Sequence, residues 1–243
     1  MTALHLIGIG TGNPDHLTLQ AIKALNAADL VMIPRKGADK ADLADLRRTI
    51  CAEVIRNPGV RFAEFDLPGR DLSLDYLTGV EAWHDAIAGV WRGTIASHGN
   101  PAHVALLVWG DPSLYDSTLR IAARLGLPVH VVPGITSVQG LTAAHGIALN
   151  EIGAPVTITT GRQLADHGWP VGAETLVVML DGKCSFQSLD PAGVSIWWGA
   201  YVGMPDQIIL SGTLAEVGPV IIAAREAARR RHGWIMDIYL LRR

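Results

Sequence analysis

Leu4, Leu6, Ile7 and Ile9 form a nearly unbroken apolar run interleaved with and followed by three glycines, Gly8, Gly10 and Gly12. Such a run reads as a strand covered on both faces, and the glycines let the chain turn sharply and approach another group closely. Leu17, Ile22 and Leu25 then fall on one side of a helix, which Asn13 or Asp15 can cap. Asp29 closes that helix, and residues 30–33 begin a second strand. The pattern repeats downstream. Leu43, Leu46 and Ile50 mark one face of a helix over 42–53, and 61–65 reads as a short strand. Leu77, Val80, Trp83, Ile87 and Val90 are spaced for a helix over 73–96, and 103–109 is a buried strand stopped by Gly110-Asp111-Pro112.

A helix over 116–125, a strand over 129–132 and a helix running up to His145 follow. From there strands come close together, at 155–160, 175–180, 194–201 and 207–212, before a helix over 219–231 and a last strand over 234–241. Alternating strands and helices predict parallel pairing, while closely spaced strands predict antiparallel or mixed pairing. The expectation is therefore an α/β protein of two α/β domains. Residues 1–112 should carry a mostly parallel sheet and residues 113–243 a mixed sheet, with a cleft between them. No internal repeat or low-complexity tract interrupts the pattern.

Composition narrows the function. With 49% apolar and 18% charged residues among 243, the chain can bury a sizeable core. A net charge of −3 argues against nucleic acid as a partner, although a few clustered arginines could still bind an anionic small molecule. Cys51 and Cys184 are far apart in sequence and read as free thiols of a reducing compartment, with no metal expected. No basic leader or membrane-length apolar run is visible, so a cytoplasmic protein away from membranes is expected.

Three motifs offer chemistry. Gly8, Gly10 and Gly12 invite a dinucleotide reading, but the third glycine comes one position early. Arg35 follows the second strand where an acid would bind a ribose, which disfavours NAD and leaves an NADP-dependent oxidoreductase as the alternative class. Trp109-Gly110-Asp111-Pro112 places a carboxylate and free backbone groups at a strand end, where ligands of open α/β sheets lie, although Asp-Pro is also a common turn pair. Pro133-Gly134-Ile135-Thr136-Ser137 brings two hydroxyls to a helix start, as a helix cap and as a polar clamp for a carboxylate or hydroxyl.

Together these blocks resemble the tetrapyrrole methylase family along essentially the whole chain. Gly8-Ile9-Gly10-Thr11-Gly12-Asn13-Pro14-Asp15, with Leu17-Thr18-Leu19 and Ala28-Asp29, is similar to the family's opening signature. Gly110-Asp111-Pro112, Pro133 to Ser137, Gly146-Ile147-Ala148-Leu149, Gly203-Met204-Pro205-Asp206-Gln207 and Ser211-Gly212-Thr213-Leu214 are similar to later blocks. The run from Lys36 to Leu43, with Leu46-Arg47-Arg48, Ile50-Cys51 and Trp83-His84, resembles the subgroup that methylates a ring carbon and releases an acetyl group as acetate.

The resemblance implies S-adenosyl-L-methionine as methyl donor, S-adenosyl-L-homocysteine as product, a polycarboxylated tetrapyrrole as substrate and a homodimer. It assigns Thr11, Trp109, Gly110, Asp111, Leu114, Thr136, Ser137, Leu180 and Gly203 to the donor. Arg35, Lys36, Arg47 and Arg48 follow the second strand and are the candidates for substrate carboxylates. His145, Tyr115 and Asp116 are the candidates for acid–base work in acetyl release, with His98 and His103 as further possibilities. Thr11 stands where relatives often have Pro. Pro34 stands where members methylating uroporphyrinogen carry a catalytic Asp, so that role does not transfer. Another regiochemistry on the ring is the alternative within the family.

Overall fold

The computed structural model describes all residues except 36–40 and 72, and the side chains of 41 and 42 are likewise not described. The chain divides into two compact units, Met1–Thr136 and Ser137–Arg243.

The first unit is built on five parallel strands, β1 (Ala3–Gly8), β2 (Leu30–Arg35), β3 (Arg61–Asp66), β4 (His103–Val108) and β5 (Val129–Val132). Their order is β3-β2-β4-β1-β5. The expected boundary at 112/113 falls before β5, which pairs with β1 in this sheet and so extends the unit to Thr136. Strand alternation sorts the apolar residues to two faces. Leu4, Leu6, Met32 and Leu106 meet helices α3 (Tyr76–Ser97) and α4 (Thr118–Ala123), while Ile7, Val31, Ile33 and Leu107 meet α1 (Leu19–Asn26) and α2 (Ala41–Val54). Burial on both faces is why β1, β2 and β4 read as nearly continuous apolar runs, whereas the edge strands β3 and β5 are largely exposed.

Asn13 caps only the single 3-10 turn Pro14–His16, accepting from the Asp15 amide, and Thr18 caps α1 through the Ala21 amide. The expected cap was displaced because Pro14 starts its own turn. Pro14 lies at the first position of that turn, where a missing N–H costs nothing.

The second unit begins with α5 (Ser137–His145) and holds β6 (Val156–Thr160), α6 (Gly161–His167), β7 (Thr175–Met179), β8 (Ser195–Ala200), β9 (Ile208–Thr213), α7 (Leu214–His232) and β10 (Asp237–Arg242). The strand order is β6-β7-β10-β8-β9, with β6 and β7 parallel and the other pairs antiparallel. Helix α6, unmarked by any clear apolar stripe, supplies the crossover between the two parallel strands. Helix α7 starts five residues before Pro219: the Thr213 hydroxyl accepts from the Glu216 amide and donates to its carboxylate, a side-chain cap that precedes the proline.

The core of this unit holds a polar hub. The Arg225 Nε donates to Asp237 Oδ2 at 2.8 Å with both side chains under a tenth exposed, and Trp198 Nε1 donates to the same oxygen at 3.1 Å. Arg225 Nη2 also donates to the Asp181 carbonyl at 3.0 Å, and the Asp181 carboxylate accepts from Tyr239, the Ser185 hydroxyl and the amides of Lys183 and Ser185. Gly161 must lack a side chain here, since a Cβ would lie 2.4 Å from the Asp181 carboxyl carbon.

His5 of β1 hydrogen-bonds His103 at 3.1 Å and stacks on His130 at 5.0 Å between ring centroids. Burial and then the two neighbouring imidazoles lower the His5 pKa from its ordinary value. The unfolded chain therefore takes up protons first, and this contribution to stability is present above about pH 6.5 and lost as pH falls through the lowered folded value. His5→Gln should flatten the decline of thermal stability as pH falls below about 6.5; an unchanged slope would remove His5 from its cause. Among the described residues no helix is long and apolar enough to cross a membrane.

Candidate active site

The loops leaving β1, β4 and β5 meet at one edge of the first sheet, backbone against backbone. A Cβ on Gly134 would sit 2.1 Å from the Gly110 carbonyl oxygen and 2.8 Å from the Gly8 carbonyl carbon. A Cβ on Gly8 would sit 2.6 Å from the Gly134 nitrogen. Gly10 and Gly110 form a two-bond bridge, with N–O distances of 3.4 and 2.7 Å. These contacts explain why three separate motifs carry glycine at these positions: the loops close only where side chains are missing.

Asp111 locks this junction. Its Oδ1 accepts from the Ser113 amide at 2.8 Å and from the Ser113 hydroxyl, and its Oδ2 accepts from the Gly134 amide at 2.9 Å. Burial would raise the carboxyl, but the hydrogen bonds from Ser113 and Gly134 outweigh it and hold Asp111 below the ordinary carboxylate range. In this structure Asp111 thus ties the β4 loop to the β5 loop. Asp111→Ala should cost about 1–3 kcal/mol in urea unfolding, because the Gly134 amide loses its acceptor. Affinity for S-adenosylhomocysteine should fall with it, and a variant of unchanged stability and affinity would refute this position for the side chain.

The other expected donor-binding residues divide between the units. Thr11 is buried and its hydroxyl bonds His16 at 2.9 Å, so it shapes the β1 loop. Trp109 lies under the Arg47 guanidinium, 4.8 Å from its ring centroid, and the Leu114 amide donates to the Asp111 carbonyl. Gly110 (φ +63°) and Thr136 complete the first unit's share, and a Cβ on Gly110 would rest 3.6 Å from Thr136 Cα. In the second unit Ser137 starts α5, and Gly203 (φ +80°) turns so that its amide donates to Gln207. Leu180, just past β7, holds φ +53° and is 66% exposed, a costly backbone for an apolar residue and of the kind that clusters at ligand sites.

A second feature lies beside the glycine junction. Strands β2 and β4 pair only as far as Met32 and Leu106 and then separate. Connections from β2 and β4 run to opposite sides of the sheet, to β3 and to β5, and such a crevice at the carboxyl ends of the strands is where open α/β sheets hold ligands. Here it is a cavity of about 170 Å³, lined among others by Pro34, Arg47, Trp83, Trp91, Val108 and Asp116. Arg47 reaches in from α2, its Nε donating to the Leu107 carbonyl at 3.4 Å and its Nη1 to the Leu43 carbonyl at 3.3 Å. Burial pushes its guanidinium down to about 10, with the negative charge of Asp116 acting against that fall, so Arg47 is cationic at neutral pH.

The candidate substrate arginines are therefore not equivalent. Arg35 is paired with Asp66 and Glu64, and Arg48 with Asp45 and Glu64, on the exposed rim. Only Arg47 faces the cavity, and Lys36 lies outside the described residues. Of the acid–base candidates, Asp116 lines the cavity. Tyr115 precedes it at φ +52° and is 43% exposed. His145, in the second unit, donates from Nε2 to the Trp198 carbonyl at 3.0 Å. His98 hydrogen-bonds the Thr94 carbonyl at the end of α3, and His103 belongs to the histidine cluster at the start of β4. Trp91 was not foreseen: it is 3% exposed and its indole N–H has no partner among the described residues. In sequence it is one more member of the apolar stripe of α3, and nothing there separates a packing tryptophan from one that lines a cavity.

The chain belongs to the tetrapyrrole (corrin/porphyrin) methylase family, whose model matches residues 3–218. It is 47% identical over 251 residues, 100% of this chain and 96% of the relative, to a precorrin-6A synthase [deacetylating] of a Sinorhizobium species. It superimposes with a TM-score of 0.85 at 40% identity on a cobalamin synthesis related protein (CobF) from Corynebacterium diphtheriae, covering 100% of this chain and 98% of the other. The uroporphyrin-III C-methyl transferase of Thermus thermophilus complexed with S-adenyl homocysteine shares the fold, with a TM-score of 0.61 at 21% identity over 98% and 96% of the chains.

Proposed function

We propose that this chain is an S-adenosylmethionine-dependent C-methyltransferase of cobalamin biosynthesis, which methylates carbon 1 of precorrin-5 and releases acetate to give precorrin-6A. The observation that carries this reading is the end-to-end 47% identity to a precorrin-6A synthase [deacetylating]. The site is compatible with it. The β1, β4 and β5 loops form a side-chain-free ledge onto which Thr11, Trp109, Gly110, Asp111, Leu114 and Thr136 are gathered, and we assign this ledge to the methyl donor. Asp111 acts there as a positioning residue, since its oxygens are already engaged by Ser113 and Gly134. Ser137, Leu180 and Gly203 carry the same assignment on the sequence resemblance alone.

S-adenosylmethionine brings a methyl group already activated as a sulfonium, so transfer requires little beyond alignment of a carbon nucleophile with that methyl. Arg47 supplies a fixed cation for the substrate on the β2–β4 side. Arg35 and Arg48 can join it only by exchanging their present carboxylate partners. A soluble, cytoplasmic homodimer is part of the same reading.

Incubation of the protein with precorrin-5 and S-adenosylmethionine, followed by mass analysis, tests it. Gain of one methyl with loss of acetyl as acetate is the expected result. Methyl gain with the acetyl retained would reassign the regiochemistry. Tight NADPH binding without affinity for S-adenosylhomocysteine would overturn the methyltransferase reading in favour of an oxidoreductase.

A further inference from the structure

The β2–β4 cavity is lined by a buried tryptophan and by a cation and a carboxylate that each keep one polar atom unspent. Trp91 is almost wholly buried and lines the cavity with its indole ring. Arg47 spends Nε and Nη1 on backbone carbonyls, and its Nη2 makes no hydrogen bond among the described residues. Asp116 accepts from the Thr118 amide through Oδ1, leaving Oδ2 without a protein donor among the described residues. Arg47 and Asp116 line the same cavity and attract one another, yet no ion pair joins them among the described residues. One donor and one carboxylate oxygen are thus held apart on the walls of the same cavity.

The volume identifies what fits. At about 170 Å³ the cavity falls below the roughly 300 Å³ at which pockets begin to enclose whole drug-sized ligands, so it cannot take a tetrapyrrole. A water needs about 10–15 Å³ of such volume, so there is room for a small group with a water beside it. The walls are apolar, from Phe65, Leu67, Ile87, Ile121 and the Trp91 ring, with the polar groups confined to Arg47 and Asp116 and the neighbouring Ser117 and Thr118. A methyl group matches the walls, and a carbonyl or carboxylate oxygen matches the Arg47 donor.

We propose that this cavity is the acetyl subsite, which receives the acetyl group of the substrate together with one water and releases it as acetate. The proposal rests on the deacetylating function argued above. Asp116 takes a proton from the water, and the oxygen left behind forms a bond to the acetyl carbonyl carbon. The carbonyl π pair moves to its oxygen, where Arg47 Nη2 stabilises the charge. Collapse restores a C=O and breaks the carbon–carbon bond to the ring, whose conjugated system keeps the electron pair and is the nucleophile toward the sulfonium methyl. Acetic acid then gives up its proton. Substrate, water and sulfonium donor become methylated ring, acetate, thioether and two protons, which balances without an oxidant or reductant. The apolar wall keeps further water out, so the oxyanion meets a fixed donor in a medium where it acts strongly.

Two measurements test this. In the first, titration of the ligand-free protein with sodium acetate, followed through indole N–H resonances of the seven tryptophans, should shift one resonance, absent in Trp91→Phe. No shift, or a shift that persists in Trp91→Phe, overturns the subsite. In the second, acetate and methylated product are counted separately for Asp116→Asn and Arg47→Met at saturating donor. Acetate release should slow about 100-fold or more in Asp116→Asn, as for loss of a general base, and by a similar factor in Arg47→Met, as for loss of an oxyanion donor. Affinity for S-adenosylhomocysteine should be unchanged in Asp116→Asn, which shows that the fold is intact. Acetate release at the unaltered rate in both variants overturns the proposal while leaving the methyltransferase reading in place. An unaltered protein that neither methylates precorrin-5 nor releases acetate defeats that reading instead, whatever acetate does to Trp91.

Discussion

Gly134→Ala is expected to lose about 3 kcal/mol or more of stability and most of its affinity for S-adenosylhomocysteine, because the added methyl has nowhere to go. Its Cβ would stand 2.1 Å from the Gly110 carbonyl oxygen and 2.8 Å from the Gly8 carbonyl carbon, and both neighbours are backbone. A flexible side chain could swing away from such a contact; a strand end cannot. Relief would require the β5 loop to lift, which stretches the 2.9 Å bond between the Gly134 amide and Asp111 and separates the loops assigned to the donor. Gly89→Ala is the control. Gly89 lies within α3 with nothing inside 4 Å of an added Cβ, so that change should be neutral or stabilising by about 0.5–1 kcal/mol. Urea unfolding and calorimetric titration with S-adenosylhomocysteine read both effects. A Gly134→Ala protein with unaltered stability and affinity would show that the three-loop contact is not what shapes this ledge.

Arg225→Ala is expected to cost about 3–5 kcal/mol, since it leaves the Asp237 carboxylate buried without its cation. The Asp181 carbonyl loses its Nη2 donor at the same time, so the damage spreads to the hub that ties Tyr239 and Ser185 to the end of β7. Removing both partners should hurt far less. Burial pushes the Asp237 carboxyl above its ordinary value, while at Arg225 burial is outweighed by Asp237 and the guanidinium is raised, and exchanging a buried pair for apolar residues of similar volume is often neutral. Arg225→Met with Asp237→Leu should therefore recover much of the loss, short of what the Trp198 N–H and the Asp181 carbonyl forfeit. Chemical unfolding of the two proteins makes the comparison. If the double variant were as unstable as the single one, the ion pair itself would be a net source of stability.

The inner strands of the first unit were legible because burial on both faces writes a nearly unbroken apolar run, and the long helices because their apolar positions recur at helical spacing. The glycine blocks announced the loop junction, since close backbone approach requires glycine at Gly8 and Gly134 and a left-handed turn favours it at Gly110. Three things were decided elsewhere. Helix α6 is a polar seven-residue segment that exists because parallel β6 and β7 need a crossover, a demand made by the sheet and absent from the local pattern. Strand β5 joined the first unit because β1 had a free edge, which moved the division of the chain to Thr136. Arg35, Arg47 and Arg48 carry the same charge within fourteen positions of one another, and their sequence does not rank them. Packing does. Helix α2 turns Arg47 toward the gap where β2 and β4 part, leaves Arg48 to Glu64 on the rim, and faces Arg47 across a cavity from a tryptophan that the sequence presents as mere core. Local pattern reports which residues must be buried or must turn. Which charges and donors are left unpaired depends on distances between segments far apart in the chain, and only the folded sheet sets those.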